Sequence, residues 1–260
     1  MSHQPIPAFP HSQITRDERG VYTLQICDAK SLNILATPVT QGLTEAARWI
    51  ARQSDARAVV LRGSGEKAFV GGANIYEMAE LDPPGGRAFI TNLRHLCDAV
   101  AAIPVPTVAR IPGFCLGAGL ELAAACDIRL ASRDAVFGMP EVRVGIPSVI
   151  HAALLPRLIG QGATNWLLLT GENVDAEQAL RWGFLQFVCE AGELDALVER
   201  TIHPIAESGP RAIRTQKALL QYWQESSLEA GIDRSVQAFG EAFETDEPQR
   251  YMASFLGRKR

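Results

Sequence analysis

Lysine is scarce in this chain of 260 residues: of 25 basic residues only four are lysine (Lys30, Lys67, Lys217, Lys259) and the rest are arginine. Against 29 acidic residues this leaves a formal net charge of -4, so the broad basic face of a general nucleic-acid binder is missing. Any anionic ligand must find its cations locally. The arginine bias itself is put down to composition. Histidine and cysteine number five each, and neither H-x-x-x-H nor C-x-x-C occurs, so a metal site has no support. Cys27, Cys97, Cys115, Cys126 and Cys189 lie mostly in apolar stretches and read as buried free thiols of a reducing compartment, the cytoplasm. No apolar run approaches the roughly 18 residues of a membrane helix, and the stretch from Met1 to Arg19 lacks the apolar centre of a signal peptide. With 47% hydrophobic and 21% charged residues, disorder is excluded as well.

Several catalytic signatures are also absent. Gly117-Ala118-Gly119 has Leu122 where a dinucleotide fingerprint needs its third glycine, and no acidic residue closes the unit. Gly63-Ser64-Gly65-Glu66-Lys67 lacks the Gly-Lys-Ser/Thr of a P-loop. Ser64-Gly-Glu-Lys67 fits S-x-x-K without its companion motifs, and there is no G-x-S-x-G for a serine esterase.

What is present is an alternation of short strands and helices. At about 150 residues per domain, the length suits one large α/β domain or a domain with an appendage. Val21–Ile26, Ala58–Leu61 and Thr107–Ile111 read as strands; Thr40–Arg52 and Arg87–Ala102 have helical spacing, the second after a breaker at Pro83-Pro84-Gly85-Gly86. From about Ser208 only helices remain: Pro210 opens one, and Ser226 with Glu229 and Asp246 with Gln249 form capping boxes for two more. Residues 1–207 are thus expected to form the core and 208–260 a helical appendage.

Three segments can carry chemistry. Between Arg110 and Asp127 the one charged residue is Glu121, in a helix start that is apolar on all faces. A carboxyl buried there either has a core partner or has its pKa pushed up by as much as 3 to 5 units. The glycines before it allow close backbone approach and free N–H groups. In the second segment Glu141 follows Pro140 in a loop after a short strand, either a mounted acid/base or a solvated side chain paired with Arg143. The third, Gly71-Gly72-Ala73-Asn74, runs into a helix. Its N–H groups and those near Ala118 could converge on one oxygen as an oxyanion hole, or Asn74 could simply cap a helix.

Ala68-Phe-Val-Gly-Gly-Ala-Asn-Ile-Tyr-Glu-Met, Gly113-Phe-Cys-Leu-Gly-Ala-Gly-Leu-Glu-Leu-Ala-Ala-Ala-Cys-Asp-Ile and Phe137-Gly-Met-Pro-Glu-Val, in this order, resemble the crotonase (enoyl-CoA hydratase/isomerase) superfamily. The likeness runs from about Val21 to the end. It implies an α/β fold with a spiral core of ββα turns and a C-terminal helical trimerisation region, as a homotrimer or a dimer of trimers. It further implies an acyl-CoA thioester substrate in fatty acid metabolism, with no separate cofactor, metal, nucleic acid or membrane. Ala73 and Ala118 would supply the oxyanion-hole N–H groups, Ala118 standing where many relatives have glycine. Asn74 replaces the usual Asp of its turn, and Tyr76 stands where Lys is common. The loop after Glu141 is one residue short, with Ser148 in place of a glycine. Substrate contacts are expected from Lys30, Leu32, Asn74, Ile75, Tyr76 and Ser148, and phosphate contacts from Lys30 and Arg258-Lys259-Arg260. Glu121 is assigned to activating water and Glu141 to the α proton of an enoyl-CoA hydratase. The alternatives are an enoyl-CoA isomerase or other CoA-thioester lyase using mainly Glu141, and a catalytically silent acyl-CoA-binding protein.

Overall fold

Each turn of the chain lays one strand into each of two sheets before a helical segment returns it. The structure, a computed structural model, describes residues 5–257, so the Arg258-Lys259-Arg260 cluster lies outside the described residues. A hairpin of β1 (Ser12–Arg16) and β2 (Val21–Ile26) leads into α1 (Thr37–Ala51). The turns then follow. They are β3 (Ala58–Arg62) and β4 (Ala68–Val70) with α2 (Ile75–Met78) and α3 (Pro83–Ala101); β5 (Thr107–Ile111) and β6 (Phe114–Leu116) with α4 (Ala118–Ala124); and β7 (Ile128–Ser132) and β8 (Val136–Gly138) with α5 (Leu155–Thr170). After β9 (Asn173–Asp175), α6 (Ala176–Arg181) and β10 (Phe187–Cys189), α7 (Leu194–Glu207) closes the core. Strands β3, β5 and β7 pair in parallel within a six-stranded sheet, and β4, β6 and β8 in parallel within a four-stranded one. This is the spiral of ββα turns expected.

The six-stranded sheet is covered on both faces, which is why its strands read as continuous apolar runs. Leu24, Leu61 and Ala109 pack with Leu43, Ile50, Leu96 and Val100 of α1 and α3. Val60, Val108 and Leu130 meet Leu194, Leu197, Val198 and Ile202 of α7 on the other side. Truncating one of the fully buried leucines to alanine costs about 2–5 kcal/mol. Among the described residues no helix is long and apolar enough to cross a membrane.

Two local expectations are corrected. Pro83-Pro84-Gly85-Gly86 does not break the chain but forms the first turn of α3: Asp82 accepts a hydrogen bond from the Gly85 N–H at 2.8 Å. Proline is tolerated there because its missing N–H would have no helical partner anyway. The cap of the penultimate helix is Ser227, which accepts from the Ala230 N–H, one residue after the expected Ser226.

The C-terminal helices, α8 (Pro210–Glu225), α9 (Leu228–Ala242) and α10 (Glu247–Gly257), add no strand. Polar anchors hold α8. Buried Lys217 donates to Asp127 Oδ2 at 2.7 Å and to the Val105 carbonyl at 3.0 Å. Arg214 reaches the Gln53, Ser54 and Ala56 carbonyls. Buried Glu247 accepts from the Ala212 and Arg211 N–H groups, filling the free donors at the start of α8.

Candidate active site

The site lies where the three parallel strands of the smaller sheet end. Beyond β4 come Gly71, Gly72 and Ala73, beyond β6 come Gly117 and Ala118, and beyond β8 come Met139, Pro140 and Glu141. Carboxyl ends of parallel strands are where α/β sheets gather ligand groups. Here the three strand ends border one cavity of about 740 Å³, also walled by Leu81 and by Phe89, Ile90 and Leu93 of α3.

Glycine geometry makes the second strand end possible. Gly117 has φ +52, left-handed, and caps α4 with its carbonyl, which accepts from the Leu120 and Glu121 N–H groups. A Cβ at this position would strike Glu141 Oε1, so glycine both turns the chain and lets the Glu141 carboxyl lie against the backbone. Ala118 is the first residue of α4, so its N–H has no partner within the helix. At the first strand end, Leu35 bridges to this segment by donating to the Gly72 carbonyl and accepting from the Asn74 N–H. The N–H of Ala73, between them, is left out of the bridge. Ala73 and Ala118 therefore both line the cavity with N–H groups free of partners among the described residues.

Glu121 sits one turn into α4 at 4% exposure. Its Oε1 accepts from the Ala152 N–H at 3.2 Å, and no cation pairs with it among the described residues. Burial, reinforced by the nearby charge of Glu141 and only partly offset by the Ala152 bond, pushes its pKa up to about 8. Glu141 is half-buried in a 3-10 turn (Pro140–Val144). Burial raises its pKa too, opposed by hydrogen bonds from its own N–H and from Ser148. Ser148 Oγ donates to Glu141 Oε2 at 2.8 Å. The alternative pairing with Arg143 is not found, since that guanidinium turns to Glu172 and the Thr170 carbonyl.

Of the ten residues singled out by sequence, six line the cavity: Ala73, Ala118, Glu121, Glu141, Ile75 and Ser148. Asn74 instead caps α2, its Oδ1 accepting from the Tyr76 N–H at 3.2 Å. Lys30, Leu32 and Tyr76 fall outside the lining. Exposed Lys30, itself at positive φ, holds its ammonium 5.3 Å from the Tyr76 ring centroid, and Leu32 packs against Gly71. Sequence reasoning missed the Ala152 N–H, which lies 31 positions from the carboxyl it serves and carries no side-chain signature.

The arrangement offers two backbone donors for an oxygen that develops negative charge, two carboxyls that line one cavity for proton transfer, and an apolar chamber. The family model described as enoyl-CoA hydratase/isomerase matches residues 16–260. The chain is 33% identical over 248 residues to a short-chain-enoyl-CoA hydratase of Clostridium acetobutylicum, covering 95% of each chain. With the same coverage it is 31% identical to a crotonyl-CoA hydratase of Syntrophomonas wolfei. The crystal structure of an enoyl-CoA hydratase from Mycobacterium smegmatis superposes with a TM-score of 0.91 at 30% identity, covering 96% of this chain and 97% of that one.

Proposed function

Because the chain belongs to the enoyl-CoA hydratase/isomerase family, we propose that it adds water across the 2,3-double bond of an enoyl-CoA thioester. The observation that carries this reading is the pair Glu121 and Glu141 facing one apolar cavity beside two unpaired backbone N–H groups. The thioester oxygen accepts from the Ala73 and Ala118 N–H groups, which stabilise the enolate as it forms. This is the largest single catalytic contribution, worth about 3–4 kcal/mol per donor. Ionised Glu121 takes a proton from water as its oxygen bonds to the β carbon, and Glu141 delivers a proton to the α carbon.

The two carboxyls titrate as a pair. In the free site the shared proton rests on Glu121, whose pKa is raised to about 8. That tautomer suits dehydration, with Glu141 taking the α proton and Glu121 protonating the departing hydroxyl. Hydration uses the other tautomer, with the proton on Glu141. An isomerase or a lyase working through Glu141 has no need of a second buried carboxyl, and a silent acyl-CoA binder has no need of either.

Among the described residues the lining contains no lysine, arginine or histidine. Aliphatic and aromatic side chains from α3 and from the 144–149 loop make the acyl pocket, so neutral apolar acyl groups are the substrates. An acyl chain ending in a second carboxylate would meet Asp82, Glu121 and Glu141 with no cation to pair. Lys30 beside Tyr76 is the cation for the nucleotide end of the substrate. Free thiols at all five cysteines fit a reducing compartment, the cytoplasm. Self-association as a trimer or a dimer of trimers is supported by the apolar outer face of α9. The test is loss of enoyl absorbance with crotonyl-CoA, longer enoyl-CoAs and a carboxyl-terminated enoyl-CoA. Turnover of the neutral series alone is expected, and inactivity across it rejects the reading.

A further inference from the structure

The Ser148 hydroxyl donates a hydrogen bond to Glu141 Oε2 at 2.8 Å, its one side-chain bond among the described residues. The other carboxylate oxygen lies against Gly117, where a Cβ would collide with it. Glu141 is thus confined from two sides: by the left-handed glycine that opens α4 and by a hydroxyl seven residues further along its own loop. That loop is closed by bonds from the Ile146 N–H to the Glu141 carbonyl and from the Gly145 N–H to the Val142 carbonyl. Gly145 at φ +79 makes the turn that brings Ser148 back over Glu141. We propose that Ser148 is a positioning residue, its hydroxyl holding the Glu141 carboxylate in the orientation from which it exchanges the α proton of the substrate. This rests on the hydratase reading above for the identity of the proton, and on geometry alone for the clamp.

A hydroxyl has one proton to donate, and a carboxylate accepts it better than a neutral carboxyl does. The bond therefore favours the ionised form of Glu141 and opposes the effect of its burial. The titratable groups around Glu141 are few. Glu121 on α4 shares the cavity and Asp82 at the start of α3 lines it. Arg143 is engaged with Glu172, and His151 is engaged with Asp98 at 3.5 Å. None of them replaces the Ser148 donor. Without that donor, Glu141 should become harder to ionise and free to rotate.

Two measurements on the full chain test this. The first needs no substrate: carbon-13 NMR titration of the glutamate side-chain carboxyls, with Glu141 identified by its loss in Glu141→Gln. Ser148→Ala should raise the Glu141 midpoint by about half to one pH unit, and Ser148→Thr should restore it. The second is the pH profile of crotonyl-CoA hydration. Ser148→Ala should lower kcat about tenfold, leave KM within about twofold, and move the acidic limb of kcat/KM to higher pH, with Ser148→Thr recovering most of the loss. An unchanged Glu141 midpoint in Ser148→Ala, or a threonine variant no better than alanine, overturns the proposal. Absence of turnover by the unaltered protein would reject the hydratase reading, while the titration still decides the role of Ser148.

Discussion

Leu122 on α4 and Phe239 on α9 are both large apolar residues on helices, yet the first is fully buried and the second is 71% exposed. The contrast holds for the regions they stand in. Up to Glu207, helices are packed onto sheets by continuous apolar contact, and of the buried polar groups there only Glu121 lines the cavity, the others, such as Arg129 and Thr44, bonding backbone carbonyls or lying elsewhere in the core. From Pro210 onward the attachment is polar, through Lys217, Arg214 and Glu247. The apolar stripe Leu228, Ile232, Val236 and Phe239 of α9, continued by Phe243 just past its end, faces outward at helical spacing. An exposed apolar patch of this kind marks a surface that another molecule covers. The core is complete within one chain, whereas α9 keeps an apolar stripe that no described residue covers.

The comparison can be broken from the core side first. Proline at the first position of a helix is tolerated and lacks an N–H, so Ala118→Pro removes one proposed oxyanion donor while keeping α4. It should lower kcat by about 10²–10³-fold with the circular dichroism of the wild type, whereas unchanged kcat would mean that this N–H contacts nothing in the reaction. Next in size is the anchor of the other region. Lys217→Met removes the ammonium's bonds to the Val105 carbonyl and to Asp127, which is one-third exposed and keeps its Thr107 donors, and should cost about 1–3 kcal/mol. Hydrogen exchange should show α8 to α10 opening before the sheets do, and uniform loss of protection would erase the distinction between the regions.

The buried carboxyl gives a third test, in pH. Glu121 binds its proton more tightly folded, near pH 8, than unfolded, near its ordinary 4.5. The stability this gives is whole below about 4.5 and is lost as pH rises through about 8. Glutamine does not titrate, so Glu121→Gln should gain on the wild type between about pH 5 and pH 8, by as much as a few kcal/mol at the upper end. A constant difference in denaturant midpoints across that range would show that Glu121 is not buried as described. The smallest effect on the single chain is expected at the outer face. Phe239→Asp should change the stability of the fold by no more than about 0.5 kcal/mol but shift the mass measured by light scattering towards the monomer.

Much of this was legible in the sequence where the signal is local. A single charge between Arg110 and Asp127 marked Glu121 as buried, the Gly-Ala turns marked both backbone donors, and Pro140-Glu141 after a strand marked the second carboxyl. The family resemblance supplied the order that joins them. What stayed hidden is of two kinds, a local helix cap beside a Pro-Gly run and partners that only the fold brings together. Asp82 turns Pro83-Pro84-Gly85-Gly86 from a break into a helix start. Ala152 contributes a backbone N–H that no residue type announces. Ser148 reads as a pocket residue until the turn at Gly145 aims it at Glu141. The exposure of α9 was equally invisible, since an amphipathic stripe looks the same whether its cover is the same chain or another.

The central claim is that two carboxyls in one cavity perform the water addition together, and hydration of crotonyl-CoA by the wild type, Glu121→Gln, Glu141→Gln and the double variant tests it most directly. Each single variant should lose about 10²–10⁴-fold in kcat, and the double variant should be little worse than the poorer single, as for groups acting as a unit. Near-normal hydration by either single variant, or losses that simply multiply in the double, would contradict it.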